Sequence, residues 1–185
     1  MVIRIKLEKE QHMNSSELLA DGLGRINGTL HRTIEPLDPE ALSFRPDEYS
    51  NSIAWLAWHL TRVHDDHVSE IAGRGQAWVE DGWAEKFGMD PDPHAQGTGD
   101  TPDDVAAIRA DGDLLLGYAD AVLARTNEYL ENVTDEELDR IIDTSYDPHV
   151  TVGVRLVSVI SDNTQHAGQA AYVRGLSEGR HWMGV

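Results

Sequence analysis

A carboxylate and an imidazole on the apolar face of one long helix constrain this chain more than any other feature. Residues 157–175 read VSVISDNTQHAGQAAYVRG, and the apolar periodicity of a helix runs through them. At ~100° per residue, Val152, Leu156, Val159, Ala170 and Val173 fall within about a third of a turn of one another. Asp162 and His166 fall in or beside that stripe. Side chains four residues apart project in the same direction. Burying both is costly unless something pairs with them. They can pair with each other, pair with an arginine, or hold a metal.

Three further helices are expected. Asn14, Ser15 and Ser16 offer N-caps for a first helix in which Leu19, Leu23, Ile26, Leu30 and Ile34 recur at helical spacing. Pro36 ends it. Asn51 or Ser52 caps a second helix, SIAWLAWHLTRVHDDHVSEIAG, with an inner stripe of Ile53, Leu56, Leu60, Val63 and His67, closed by Gly73. Residues 74–100 form a long connection containing Trp78, Trp83 and Phe87. Connections of this length are unusual in a compact domain. The three aromatics predict that it folds back onto the body, with a short helix around Trp83–Phe87. Thr101, Pro102, Asp103 and Asp104 then start a third helix expected to run unbroken from Val105 to Tyr129. After a short turn at residues 134–138, residues 141–150 read as a loop. The fourth helix follows, from about residue 151 to 176. Four long helices with essentially no strand pattern predict an all-α fold, one four-helix bundle over residues 14–180. Residues 1–13 read as a loose arm.

Composition narrows the function. The chain has 185 residues and no cysteine, which excludes disulfides, thiolate metal sites and a protein-borne thiol nucleophile, and suits a reducing cytosol. The net charge of −18 repels phosphate backbones and anionic membranes. The start lacks the apolar core of a signal peptide, and no run approaches the ~20 apolar residues that span a bilayer. A cytoplasmic protein without nucleic-acid or membrane partners is expected, acting on a small molecule.

The second helix also brings a polar group to the core boundary: His59, with Trp55 and Val63 one turn away on either side. Bundles build metal sites from such side chains on facing helices. His59, Asp162 and His166 would supply two nitrogens and one carboxylate, a set that suits Zn²⁺ with a position left open. Ni²⁺, Mn²⁺ or Fe²⁺ also fit. Simple pairing of Asp162 with His166 remains the alternative. Gln169, one turn from His166, is placed to orient it. Arg62, near His59, is placed to hold an anion or Asp66. Trp55, Trp58 and Trp83 are candidate pocket walls. His67 lies ~12 Å from His59 by helical rise, too far to share the metal. His12, His31, His94 and His181 read as surface or tail residues, and His149 as a loop residue before the fourth helix.

The segments NSIAWLAWHLTRVHDD (residues 51–66) and DNTQHAGQAAYVRGL (residues 162–176), with LSFRPDEYSNSIAW and EELDR, resemble the DinB/YfiT-like superfamily. The likeness is greatest to its branch of mycothiol-dependent maleylpyruvate isomerases and thiol S-transferases. WLAWHL and HAGQ match its two helix motifs. The resemblance implies an up-down-down-up bundle, a divalent metal on His59, Asp162 and His166, a low-molecular-weight thiol such as mycothiol or bacillithiol as cosubstrate, and a homodimer. One position departs: the isomerase branch carries Glu, and other branches His, where this chain has Asp162, one methylene shorter. Three functions follow from these readings: a thiol-dependent S-transferase or isomerase, a hydrolase using metal-bound water, or a non-catalytic stress-related or interaction protein with a vestigial site.

Overall fold

The computed structural model describes residues 13–35 and 37–179. The expected arm therefore lies outside the described residues except for Met13, as do Pro36, His12 and His181. The elements are α1 (Ser15–Ile34), α2 (Pro39–Leu42), α3 (Ile53–Ala72), α4 (Ala77–Glu80), α5 (Trp83–Lys86), α6 (Pro102–Ala107), α7 (Gly112–Leu130), α8 (Asp135–Leu138), β1 (Ile141–Asp143), β2 (Val150–Thr151) and α9 (Val152–Glu178). The protein is mostly helical.

Local chemistry sets the long helices. Asn14 and Glu17 close a capping box at the start of α1. Ser52 caps α3, whose end is turned by Gly73 at φ 65°. Thr151 caps α9, and Gly179 ends it. Relative directions follow from the contacts. Asn27 and His31 of α1 both reach Asp120, and Gly112 at the start of α7 lies against Ile34 at the end of α1, so these two helices are antiparallel. Arg62 meets Tyr118 and His64 meets Thr126, so α3 and α7 run together. His59 meets His166 and His67 meets Arg155, so α3 and α9 are antiparallel. Gly22 faces Ile160, and Arg174 donates to the Arg32 and Thr33 carbonyls, so α1 and α9 are parallel.

Three findings differ from the periodicity. First, α3 has no single inner stripe: every residue from Ile53 to Asp65 is buried. A helix buried all round is covered on all sides, and here the long connection of residues 74–100, a crossover between α3 and α6, supplies part of the cover. Trp78 and Ala77 are fully buried, and Trp78 packs at 5.5 Å from both Phe87 and Tyr118. Second, the third helix is broken. Ile108 turns extended (φ −72°, ψ 100°), and Asp111 caps a fresh start by accepting from the Leu114 amide at 2.8 Å. Val105, Ile108 and Leu115 fit one continuous stripe, but the Asp111-Gly112 pair combines a strong cap with a poor helix former. The break keeps Ile108 and Ala110 buried. Third, the loop at 141–150 contains an antiparallel pair, Ile141–Asp143 with Val150–Thr151, leading directly into α9.

Two buried charges fasten the crossover to α3. The Asp65 carboxylate accepts from the amides of Ala77 and Trp78, at 2.9 and 2.8 Å, and from the Tyr118 hydroxyl at 2.8 Å. Arg62 is fully buried. It donates to the Ala95 and Pro93 carbonyls, at 2.9 and 3.0 Å, and to Gln76 and Tyr118. The two charges stand 3.7 Å apart. A buried ion is tolerable when its hydrogen-bonding capacity is filled in this way.

Candidate metal centre

His59 sits near the middle of α3, and Asp162 and His166 sit one turn apart near the middle of α9. The antiparallel packing of these helices brings all three together. One ligand-type atom from each lies within 4.8 Å of the others. The two imidazole rings meet edge to face, 4.8 Å between centroids. His166 Nε2 stands 3.5 Å from Asp162 Oδ1. Asp162 Oδ2 is buried and has no hydrogen-bond partner. The shorter Asp side chain thus stands within the cluster.

Both rings are held at Nδ1 by an oxygen acceptor. His59 Nδ1 bonds the backbone carbonyl of Gln96, and His166 Nδ1 bonds Gln169 Oε1 at 2.7 Å. Carbonyl oxygens only accept, so each Nδ1 carries a proton and each neutral ring has its lone pair on Nε2. Outer hydrogen bonds of this kind orient metal-ligating histidines. Two imidazole nitrogens and one carboxylate, one of whose oxygens is buried without a partner, are a donor set that fits a divalent cation, Zn²⁺ first and Ni²⁺, Mn²⁺ or Fe²⁺ after it.

Electrostatics separate the three groups. Burial lowers the pKa of His59 below the ordinary imidazole value, opposed in part by its bond to Gln96. The hydrogen bond between Asp162 and His166 lowers the carboxyl and raises the imidazole, so the pair favours Asp⁻ with HisH⁺ when no cation is bound. A cation would take the place of that proton.

The remaining sequence candidates divide. Gln169 accepts from His166 Nδ1. Trp55 stacks on His59, 4.6 Å between centroids and 8° from coplanar, and donates from Nε1 to Asp100 at 2.8 Å. Arg62 bonds the crossover rather than an anion or Asp66, and its guanidinium lies 4.7 Å from the Trp78 ring. Trp58 packs edge-on against Trp78. Trp83 is not brought to the cluster. It packs on Tyr118, with Lys86 over its face, because the short helix that carries it folds against α7. His67 accepts from Arg155 at 2.8 Å. His64 is buried against the Thr126 hydroxyl, and burial pushes its pKa down to about 4. His149 is exposed and bonds the Tyr146 carbonyl. Periodicity missed Gln96, Gly97 and Asp100. Their one signal is the string QGTGD inside the long connection.

The protein is mostly helical and sets two histidines and a carboxylate from antiparallel helices into one candidate metal site. The chain belongs to the DinB superfamily, whose sequence profile matches residues 25–170. The crystal structure of a conserved protein from Enterococcus faecalis is similar, with 32% identity, 91% of this chain and 100% of that chain covered, and a TM-score of 0.84. None of the curated proteins compared matches the chain. No described helix is long and apolar enough to cross a membrane.

Proposed function

We propose that the protein is a divalent-metal enzyme that uses a low-molecular-weight thiol, of the mycothiol or bacillithiol kind, to modify or isomerise an electrophilic small molecule. The observation that carries this reading is the cluster itself: three ligand-type atoms within 4.8 Å and a buried carboxylate oxygen with no protein partner. A divalent ion bound there would supply Lewis acidity, which favours the thiolate form of a thiol or polarises a carbonyl. His59, Asp162 and His166 serve as ligands rather than as proton-transfer groups. The chain has no cysteine of its own, so the sulfur nucleophile comes from the cosubstrate. In a transfer, the S–C bond forms as the bond to the leaving group breaks, and the thiol proton passes to solvent.

Gln169 links the cluster to a place for the substrate. Besides holding His166, it lines a groove of about 380 Å³ with Tyr49, Leu56, Tyr172 and Leu176, and none of the groove's lining residues is charged. In a chain with 26% charged residues, that lining suits an uncharged, apolar or aromatic substrate. The helix directions support the superfamily's up-down-down-up bundle over residues 14–180. The family likeness extends the reading to a homodimer, and the cysteine-free composition to the cytoplasm.

Metal analysis of the purified protein tests the assignment. About one divalent ion per chain is expected, and His166→Ala should lose it. Equal occupancy in both proteins overturns it. Incubating the metal-loaded protein with an electrophile, with and without mycothiol or bacillithiol, tests the reaction: turnover without thiol favours a hydrolase using metal-bound water. The 3.5 Å Asp162–His166 contact favours one second reading, a vestigial site in which the two only pair. Under that reading chelation leaves the melting temperature unchanged.

A further inference from the structure

Residues 93–100 of the crossover are tied to α3 at Trp55, His59, Arg62 and Asp66. Arg62 draws in the Pro93 and Ala95 carbonyls. Gln96 gives its carbonyl to His59 Nδ1 and its side-chain amide to Asp66, at 2.6 Å for the latter. Asp100 accepts from Trp55 Nε1, and the Trp55 ring lies flat on the His59 ring. Between the last two attachments sits Gly97, at φ 90°. A Cβ there would stand 2.9 Å from Trp55 Cζ2, 3.0 Å from Trp58 Cζ3 and 3.2 Å from Asp100 Oδ2. Both the backbone angle and the lack of space demand glycine at this position.

These restraints converge on one ring. The carbonyl fixes the edge of the imidazole and the indole fixes its plane, so His59 can neither flip nor tilt while the crossover is seated. We infer that the Gly97 turn, with Arg62 and Asp100 as its anchors, is a positioning device for the metal centre: it seats the Gln96 carbonyl and the Trp55 ring on His59 and thereby decides which nitrogen His59 offers to a divalent cation. None of these residues is a ligand, and each acts through His59. The inference rests on the metal reading for its purpose, while the tautomer it dictates exists without any metal.

The test uses the full chain and two readouts. Long-range ¹H–¹⁵N spectra of the metal-free protein report the His59 tautomer directly, and competition with a chromophoric chelator reports Zn²⁺ affinity. Wild type should hold His59 as the Nδ1–H tautomer. Gly97→Ala should mix the tautomers and weaken Zn²⁺ binding by about ten- to a hundredfold, the range for lost outer-shell partners. Asp100→Ala, which frees Trp55 without straining the backbone, should act in the same direction. Gly82→Ala is the control. It has the same left-handed strain (φ 70°) but open space around it, and both readouts should stay at wild-type values. Should Gly97→Ala not fold, Asp100→Ala decides. An unchanged Nδ1–H tautomer with Zn²⁺ affinity within twofold of wild type in the folded variants overturns the inference. A wild type without Zn²⁺ affinity overturns the metal reading instead, and the tautomer shift then judges the positioning device by itself.

Discussion

The histidines of α3 and those of the outer helices are pushed in opposite directions. On α3, burial lowers the pKa of His59, His64 and His67. On α1 and α9, carboxylate partners raise those of His31 and His166. The cause is position. Along residues 53–65 α3 is covered on all sides, so His59 and His64 lose hydration and favour the neutral form. His67, half-buried beyond that stretch, is held down by partial burial and then by the Arg155 guanidinium. The outer helices have a solvent face where an Asp or Glu can reach a ring. The His59–Asp162–His166 cluster lies on the boundary, joining a ring that burial keeps neutral to a ring paired with a carboxylate. The dry side supplies rigidity and the wet side supplies charge.

Removing the proposed dry-side ligand should have the largest effect. His59→Ala is expected to lower Zn²⁺ affinity by at least about a hundredfold, because a ligand is lost along with the crossover's contact with it. Gln169→Ala removes only an exposed side chain that supports the half-buried His166, and the fall should be about tenfold or less. Chelator competition measures both. Equal losses would mean that the two sides contribute alike, against the comparison.

The next effect is on stability and belongs to His64. Its folded pKa of about 4 lies below the ordinary unfolded value near 6.5. The unfolded chain therefore takes up a proton that the folded protein refuses, and stability falls as pH drops below about 6.5, levelling off below 4. From pH 7 to pH 5 this one group accounts for about 2 kcal/mol. Urea unfolding at the two pH values should show His64→Leu losing less stability on acidification than wild type by roughly that amount. A parallel loss in both proteins would show that His64 protonates as readily folded as unfolded.

The wet half of the site could be read in the sequence, and most of the dry half could not. Asp162, His166 and Gln169 lie at offsets of four and three on one helix, so helix geometry alone places them together. His59 could be found because it interrupts an apolar stripe. What holds His59 could not: its partner is a backbone carbonyl 37 residues along the chain, and a carbonyl has no side-chain signature. Arg62 was found near the site for a reason the structure replaces, since a charge one turn from a ligand looks like an anion contact until the crossover is seen to fill its donors. The break at 108–111 was hidden because the stripe of apolar residues continues in phase across it.

The smallest effect is expected at His31, where the sign reverses. Its two ring nitrogens bond Glu35 at 2.9 Å and Asp120 at 2.8 Å, joining α1 to α7. The Asp120 bond, then the Glu35 bond, raises its pKa above the ordinary value. The protonated ring therefore stabilises the fold fully below the unfolded pKa near 6.5, and the stabilisation is lost as pH rises through the higher folded value. Both carboxylates are half exposed or more, so solvent screening holds the contribution to about 1 kcal/mol or less. His31→Ala should cost that much at pH 5.5 and nearly nothing at pH 9, with 1 M NaCl shrinking the difference at low pH. The His64 and His31 variants thus bend the pH profile in opposite senses. If His31→Ala instead flattened the acid limb as His64→Leu does, position relative to α3 would not be what sorts the histidines of this protein.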